Sequence, residues 1–139
     1  MALMTLTTDE VAAHLKPILE KHLSNVHIGI EGNKGIISGK KFVLAVDIRF
    51  ECHVTAPTTL FKIDLACSFA ARAALESMGD SLRAERPYIK SLDATQCVID
   101  LTKVPVGTKM LSDFIVLNSA HIPAQNGPFA ELNVTIKPL

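Results

Sequence analysis

The chain has 139 residues, 48% of them hydrophobic and 20% charged, with 14 basic side chains balancing 14 acidic ones. Such a composition buries a core without metal or disulfide support and excludes a disordered chain. Balanced charge with no like-charged run longer than two, together with 5% aromatic residues and no tryptophan, excludes the strong field or stacking platform that a nucleic acid partner needs.

The first element announces itself at Thr7 and Glu10, whose S/T-x-x-E spacing is that of a capping box. Val11, Leu15, Ile18, Leu19 and Leu23 follow at helical spacing, so an amphipathic helix is expected over about residues 8 to 23, bent at Pro17. Val26, Ile28 and Ile30 then alternate as a short strand, and Glu31-Gly32-Asn33-Lys34-Gly35 supplies a turn. Gly39 interrupts the next apolar stretch and marks a bulge or kink.

The clearest pattern lies in Phe42, Leu44, Val46, Ile48, Phe50, Cys52, Val54 and Ala56, which all share one parity. The opposite parity carries Asp47, Arg49, Glu51, His53 and Thr55, so this strand buries one face and presents the other. After a break at Pro57-Thr58-Thr59, Phe61, Ile63, Leu65, Cys67, Phe69 and Ala71 repeat the alternation, and residues 42 to 56 and 60 to 72 read as a long hairpin. Several registers keep inward residues paired, two of which differ by a shift of two. One sets Val54 against Ile63 and His53 against Asp64; the other sets Glu51 against Asp64. Avoidance of directly opposed carboxylates favours the first.

From Ala71 to Ala84, Ala71, Ala74, Leu75, Met78 and Leu82 form a helical stripe with Gly79 as a weak point and Pro87 beyond its end. Residues 93 to 104 return to alternation, with Cys97, Ile99 and Leu101 inward, and stop at Pro105. The stretch from Val106 to Ile122 is expected to be a short helix leading into a strand. Asn126-Gly127-Pro128 is a turn, and Leu132, Val134 and Ile136 mark a closing strand. The whole is an α+β fold: one domain over residues 1–139, with an antiparallel sheet of about five to six strands on a long central hairpin, covered by the N-terminal amphipathic helix and one or two further helices.

Motifs for chemistry are few. GNKGIISGKK fails the phosphate-loop pattern at Lys34 and Lys41, and Gly32-Asn33-Lys34-Gly35 sits between strands rather than the helices of a nucleic-acid clamp. His14, His22, His27, His53 and His121 include no metal-binding spacing, although His14 and His22 share a helical face. Cys52 and His53 point to opposite faces of a strand and do not form a thiolate–imidazole pair. Neither a metal nor a cofactor is expected. Cys52, Cys67 and Cys97 lack a C-x-x-C pair and read as reduced thiols. With no basic-then-apolar leader and no run near the roughly 18 apolar residues of a membrane span, a cytoplasmic protein is expected. Asn133-Val134-Thr135 is then an incidental glycosylation sequon.

Three functions fit this plan. The preferred one is a small, soluble, non-catalytic domain that binds an apolar or lipid-like small molecule within the helix-covered sheet. A second is a homo-oligomeric assembly module, pairing with another copy of itself through the outer sheet face at Val43, Ala45, Ala66 and Ala70. A third is a small enzyme in which His53 and Asp64 form an acid–base pair, with Arg49 beside them as a further catalytic candidate.

Overall fold

The protein's structure, a computed structural model, describes residues 2–55, 60–106, 108–123 and 127–138. In chain order its elements are β1 (Ala2–Leu6), α1 (Thr8–Glu20), β2 (Ser24–Glu31), β3 (Lys34–Lys41), β4 (Leu44–Thr55), β5 (Leu60–Cys67), α2 (Phe69–Glu85), β6 (Ile89–Leu92), β7 (Gln96–Asp100), β8 (Pro105–Val106), β9 (Lys109–Met110), β10 (Ile115–His121) and β11 (Ala130–Ile136). The fold is α+β and its sheets are antiparallel. A six-stranded sheet has the order β2-β3-β4-β5-β7-β6, a three-stranded sheet the order β1-β11-β10, and β8 and β9 form a small ribbon.

Helix α1 starts where a hydroxyl is available to cap it: Thr7 Oγ1 accepts a hydrogen bond from Glu10 N at 3.1 Å. The helix contains Pro17 and closes at Glu20, so His22 lies beyond its end and does not share a helical face with His14. His14 instead meets the Tyr88 hydroxyl at 3.2 Å, which ties α1 to the segment leading into β6.

Strands β4 and β5 pair with Ile48 opposite Cys67, Cys52 opposite Ile63 and Val54 opposite Phe61. This is the register that sets Glu51 against Asp64, and it replaces the expected pairing of Val54 with Ile63. From Val46 onward the even-numbered residues of β4 face the core, where Val46 and Cys52 are fully buried and Ile48 and Phe50 nearly so, while Leu44 beside the turn is exposed. The odd-numbered ones, from Ala45 through Asp47, Arg49, Glu51 and His53, form the outer face.

Both ends of the expected hairpin differ. Phe42 is a turn residue, not the first inward strand position, because the β3–β4 connection is a two-residue turn at Phe42-Val43. Strand β5 stops at Cys67 rather than near residue 72, because Ser68 diverts the chain into α2: its Oγ accepts from both Ala71 N (3.3 Å) and Asp47 N (3.1 Å). Ala70 therefore belongs to the helix and packs against the core, apart from Ala45 and Ala66. Likewise the strand from Gln96 ends at Asp100, whose carboxylate accepts from Thr102 N at 3.0 Å and begins a 3₁₀ turn at Leu101–Lys103. The irregularity expected at Gly39 falls on the neighbouring strand: the β2–β3 register shifts between Ser24 and His27, with Asn25 at φ 52°.

The buried residues form one cluster. Ala71, Ala74, Leu75, Met78 and Leu82 of α2 join the inner residues of β4, Phe61 of β5, Leu19 of α1, and Leu132 and Val134 of β11. The expected helix after Val106 is instead the β8–β9 ribbon and a 3₁₀ turn at Leu111–Asp113, followed by β10. Ala56, the break at Pro57-Thr58-Thr59 and Asn126 of the C-terminal turn lie outside the described residues. Among the described residues no helix is long and apolar enough to cross a membrane.

Candidate functional site

Register turns the outer face of the six-stranded sheet into a grid of rows. One row runs Glu31–Lys34–Glu51–Asp64–Gln96 across β2, β3, β4, β5 and β7. The next, toward the β3–β4 turn, runs Gly29–Ile36–Arg49–Ala66. On the other side of the first lies His53–Lys62–Val98. These rows exist because alternate residues of a strand share a face and paired strands hold a fixed register.

Between the first two rows the face is hollowed into an open concavity of about 650 Å³, bounded by Glu31, Lys34, Arg49, Glu51 and Asp64 over a floor that includes Ile36 and Ala66. Gly29 adds to the space, having no side chain on this face. By contrast, the space between the 3₁₀ turns and Leu117 and Leu132 is about 10 Å³, too small for more than about one water.

The opposed carboxylates Glu51 and Asp64 are reconciled by the next pair along the two strands, His53 and Lys62. His53 Nε2 lies 3.1 Å from Asp64 Oδ2 and 3.8 Å from Glu51 Oε1, while Lys62 Nζ lies 3.9 Å from Asp64 Oδ1. All four side chains are about half exposed, so solvent screens each pair and the cluster's net contribution is modest. Its effect is on register: the His53 ring nitrogen and the Lys62 ammonium, both within reach of Asp64, offset the repulsion that favours the other alignment.

His53 and Asp64 are thus brought together, although not as directly opposed residues. Arg49 does not join them. Four residues separate it from His53 along β4, a distance of about 13 Å, and it stands among Gly29, Ile36 and Ala66. Among the described residues neither Arg49 nor Lys34 has a carboxylate within 4.0 Å. The contribution of β2 and β3 to this site is absent from the sequence reading. The signal for it is the two-residue turn at Gly32-Asn33, which, once known, aligns Glu31 with Lys34 and Gly29 with Ile36.

The thiols lie elsewhere. Cys52 is buried on the core side of β4, and desolvation, followed by the proximity of Cys97, pushes its pKa up to about 12. Burial, then the charge of Asp93, pushes Cys97 up to about 11. Both pair with Ile63, from opposite sides of β5, which sets them about 10 Å apart and beyond disulfide reach. Among the described residues no group of three or more His, Cys, Asp or Glu side chains is placed to hold a metal ion.

The architecture defines an α+β protein with mostly antiparallel sheets and an open, mixed-charge concavity on the uncovered face of the larger one. No protein-family model matches the chain, and no curated protein or solved structure matches it.

Proposed function

We propose that this protein is a small non-catalytic binding domain that takes an amphiphilic organic anion on the outer sheet face. The observation that carries this reading is the row Gly29–Ile36–Arg49–Ala66, in which one cation, with no carboxylate within 4.0 Å among the described residues, rises from an otherwise uncharged floor. A guanidinium there offers two parallel donors to a carboxylate, and the floor accepts the apolar body attached to it. Lys34 adds positive charge at the rim. On this reading the ligand lies outside the helix-covered interior, and the small size of the hollow under the 3₁₀ turns supports that choice.

Catalysis is the weaker reading for two reasons. The His53 nitrogen that faces Asp64 and Glu51 sits on an open, water-filled surface, where preorganised charge is worth little. Arg49 is also too far from it to act on the same small substrate. An assembly role for the same face is supported by the exposed Ala45 and Ala66, and would give a two-fold contact.

Titration with octanoate and with 1-octanol, followed by calorimetry, separates these readings. Octanoate is expected to bind and octanol not, and Arg49→Ala is expected to weaken octanoate by about tenfold to a hundredfold, the worth of a charge-assisted bidentate contact. Equal affinity of wild type and R49A for octanoate would overturn the proposal. A dimer in native mass spectrometry that R49E or A66E dissociates would favour assembly instead.

A further inference from the structure

The two-residue turns that bracket β3 share one backbone plan and differ in chemistry. In the first, Gly32 takes the left-handed conformation at φ 59°; in the second, Phe42 takes it at φ 58°. Glycine suits this position because it has no Cβ to clash, whereas a bulky aromatic pays a steric penalty there. The strain is not offset by burial. Phe42 is 89% exposed and Val43 91%, and Leu44 is 56% exposed.

A second exposed aromatic stands at the same end of the sheet. Ser68 N donates to Asp47 O at 2.9 Å and Asp47 N donates to Ser68 Oγ at 3.1 Å, so the chain leaves β5 beside the turn-proximal part of β4. Phe69 follows immediately and is 89% exposed. Two of the chain's six phenylalanines therefore face solvent at one end, where nothing in the core explains them.

Asp47 stands at this end beside Ser68, and on either side of it the two segments carry basic residues alone over a stretch of sequence. From Gly32 to Val46 there is no acidic residue, while Lys40 and Lys41 directly precede the turn. From Leu65 to Leu75 there is again none, while Arg72 follows Phe69 by one helical turn. An apolar tip with lysines at its base is a convex wedge, not a groove. Its rings match the depth of the headgroup–acyl boundary, and the lysine stems reach back to anionic headgroups.

We infer that the β3–β4 turn, together with Phe69 at the same end of the sheet, docks this protein on an anionic lipid bilayer as a peripheral contact. The inference is independent of the outer-face site: Phe42 is six residues along the chain from Ile36, about 20 Å of strand.

Because the chain contains no tryptophan, Phe42→Trp makes a sole reporter at the tip. With vesicles of phosphatidylcholine and phosphatidylserine at three to one, its emission is expected to move to shorter wavelength, and with phosphatidylcholine alone to stay. Flotation of wild type with the same vesicles should weaken as salt rises, and should fall by more than about tenfold in the double variant K40E/K41E. Phe42→Gly with Val43→Ser should abolish flotation while keeping the fold, since glycine suits the turn and its thermal transition can be checked directly. Failure of wild type to float with the serine-containing vesicles at low salt would overturn the inference, as would unchanged flotation of F42G/V43S. A dimer that F42G/V43S converts to monomer would also overturn it, assigning the tip to a second copy of the chain.

Discussion

His53 holds Asp64 from the diagonal position: its Nε2 lies 3.1 Å from Asp64 Oδ2, although the residue directly opposite Asp64 is Glu51. One imidazole thus permits a register in which two carboxylates face each other. Replacing His53 by Ala is expected to destabilise the fold by about 0.5 to 1 kcal/mol, the usual worth of a cross-strand charge pair. Adding Glu51→Gln should recover most of that loss. Urea denaturation of the two single variants and the double variant checks it; strictly additive effects would mean that the residues are not coupled.

Two glycines should respond to alanine in opposite directions. Gly35 lies opposite Phe50 on the core side, and an added Cβ would run into the Phe50 ring. Gly35→Ala is expected to cost about 1 to 3 kcal/mol, as overpacking does. Gly79, in the middle of α2, has open space where a Cβ would stand, so Gly79→Ala should stabilise by about 0.5 to 1 kcal/mol through helix propensity and a less flexible unfolded chain. Denaturation midpoints measured side by side decide both.

The buried thiols predict a loss of stability in alkali. Burial raises Cys52 from 9.0 to about 12 and Cys97 from 9.0 to about 11, so the native state keeps protons that the unfolded chain releases. The stability they contribute is complete below about pH 9 and is lost as pH rises from there through about 11 and 12. Melting temperatures across that range should fall less steeply in a Cys52→Ala/Cys97→Ala variant measured against its own value at pH 8. At pH 8 a thiol-specific disulfide reagent should reach Cys67 and Cys97, both partly exposed, before the buried Cys52. Immediate reaction of all three native thiols would contradict the burial.

Ile48 is 4% exposed between Ile37 and Cys67, at the centre of the inner face of β4. Ile48→Asp would bury an unpaired charge and is expected to abolish the cooperative thermal transition, whereas Ile48→Val should cost only about 1 kcal/mol. A retained native melt in I48D would mean that this face is not the core.

Local chemistry was legible in the residues themselves. Thr7 caps α1, the even-numbered residues of β4 face inward, and the apolar stripe of α2 enters the core, because a cap and a period depend only on neighbours within a turn or two. The end of β5 was not, because Phe69 and Ala71 prolong the strand's alternation past Ser68, whose hydroxyl caps α2 by accepting from Ala71 N. Strand β1 was missed as well. Its alternation is spoiled by the exposed Leu3, and its partner lies at the far end of the chain, with Ala2 opposite Val134.

Sequence by itself thus determined which side of the long strands is buried and the composition of the other side, including Arg49, Glu51, His53 and Asp64. Only the tertiary structure decided how those outer residues are combined. Register depends on small differences among pairs that come from separate strands, and here a diagonal histidine, with a lysine two positions along Asp64's own strand, offsets the direct repulsion that local reasoning counts. The same register sets Arg49 in the row with Ile36 and Ala66, while the strand itself holds it four positions along β4 from His53.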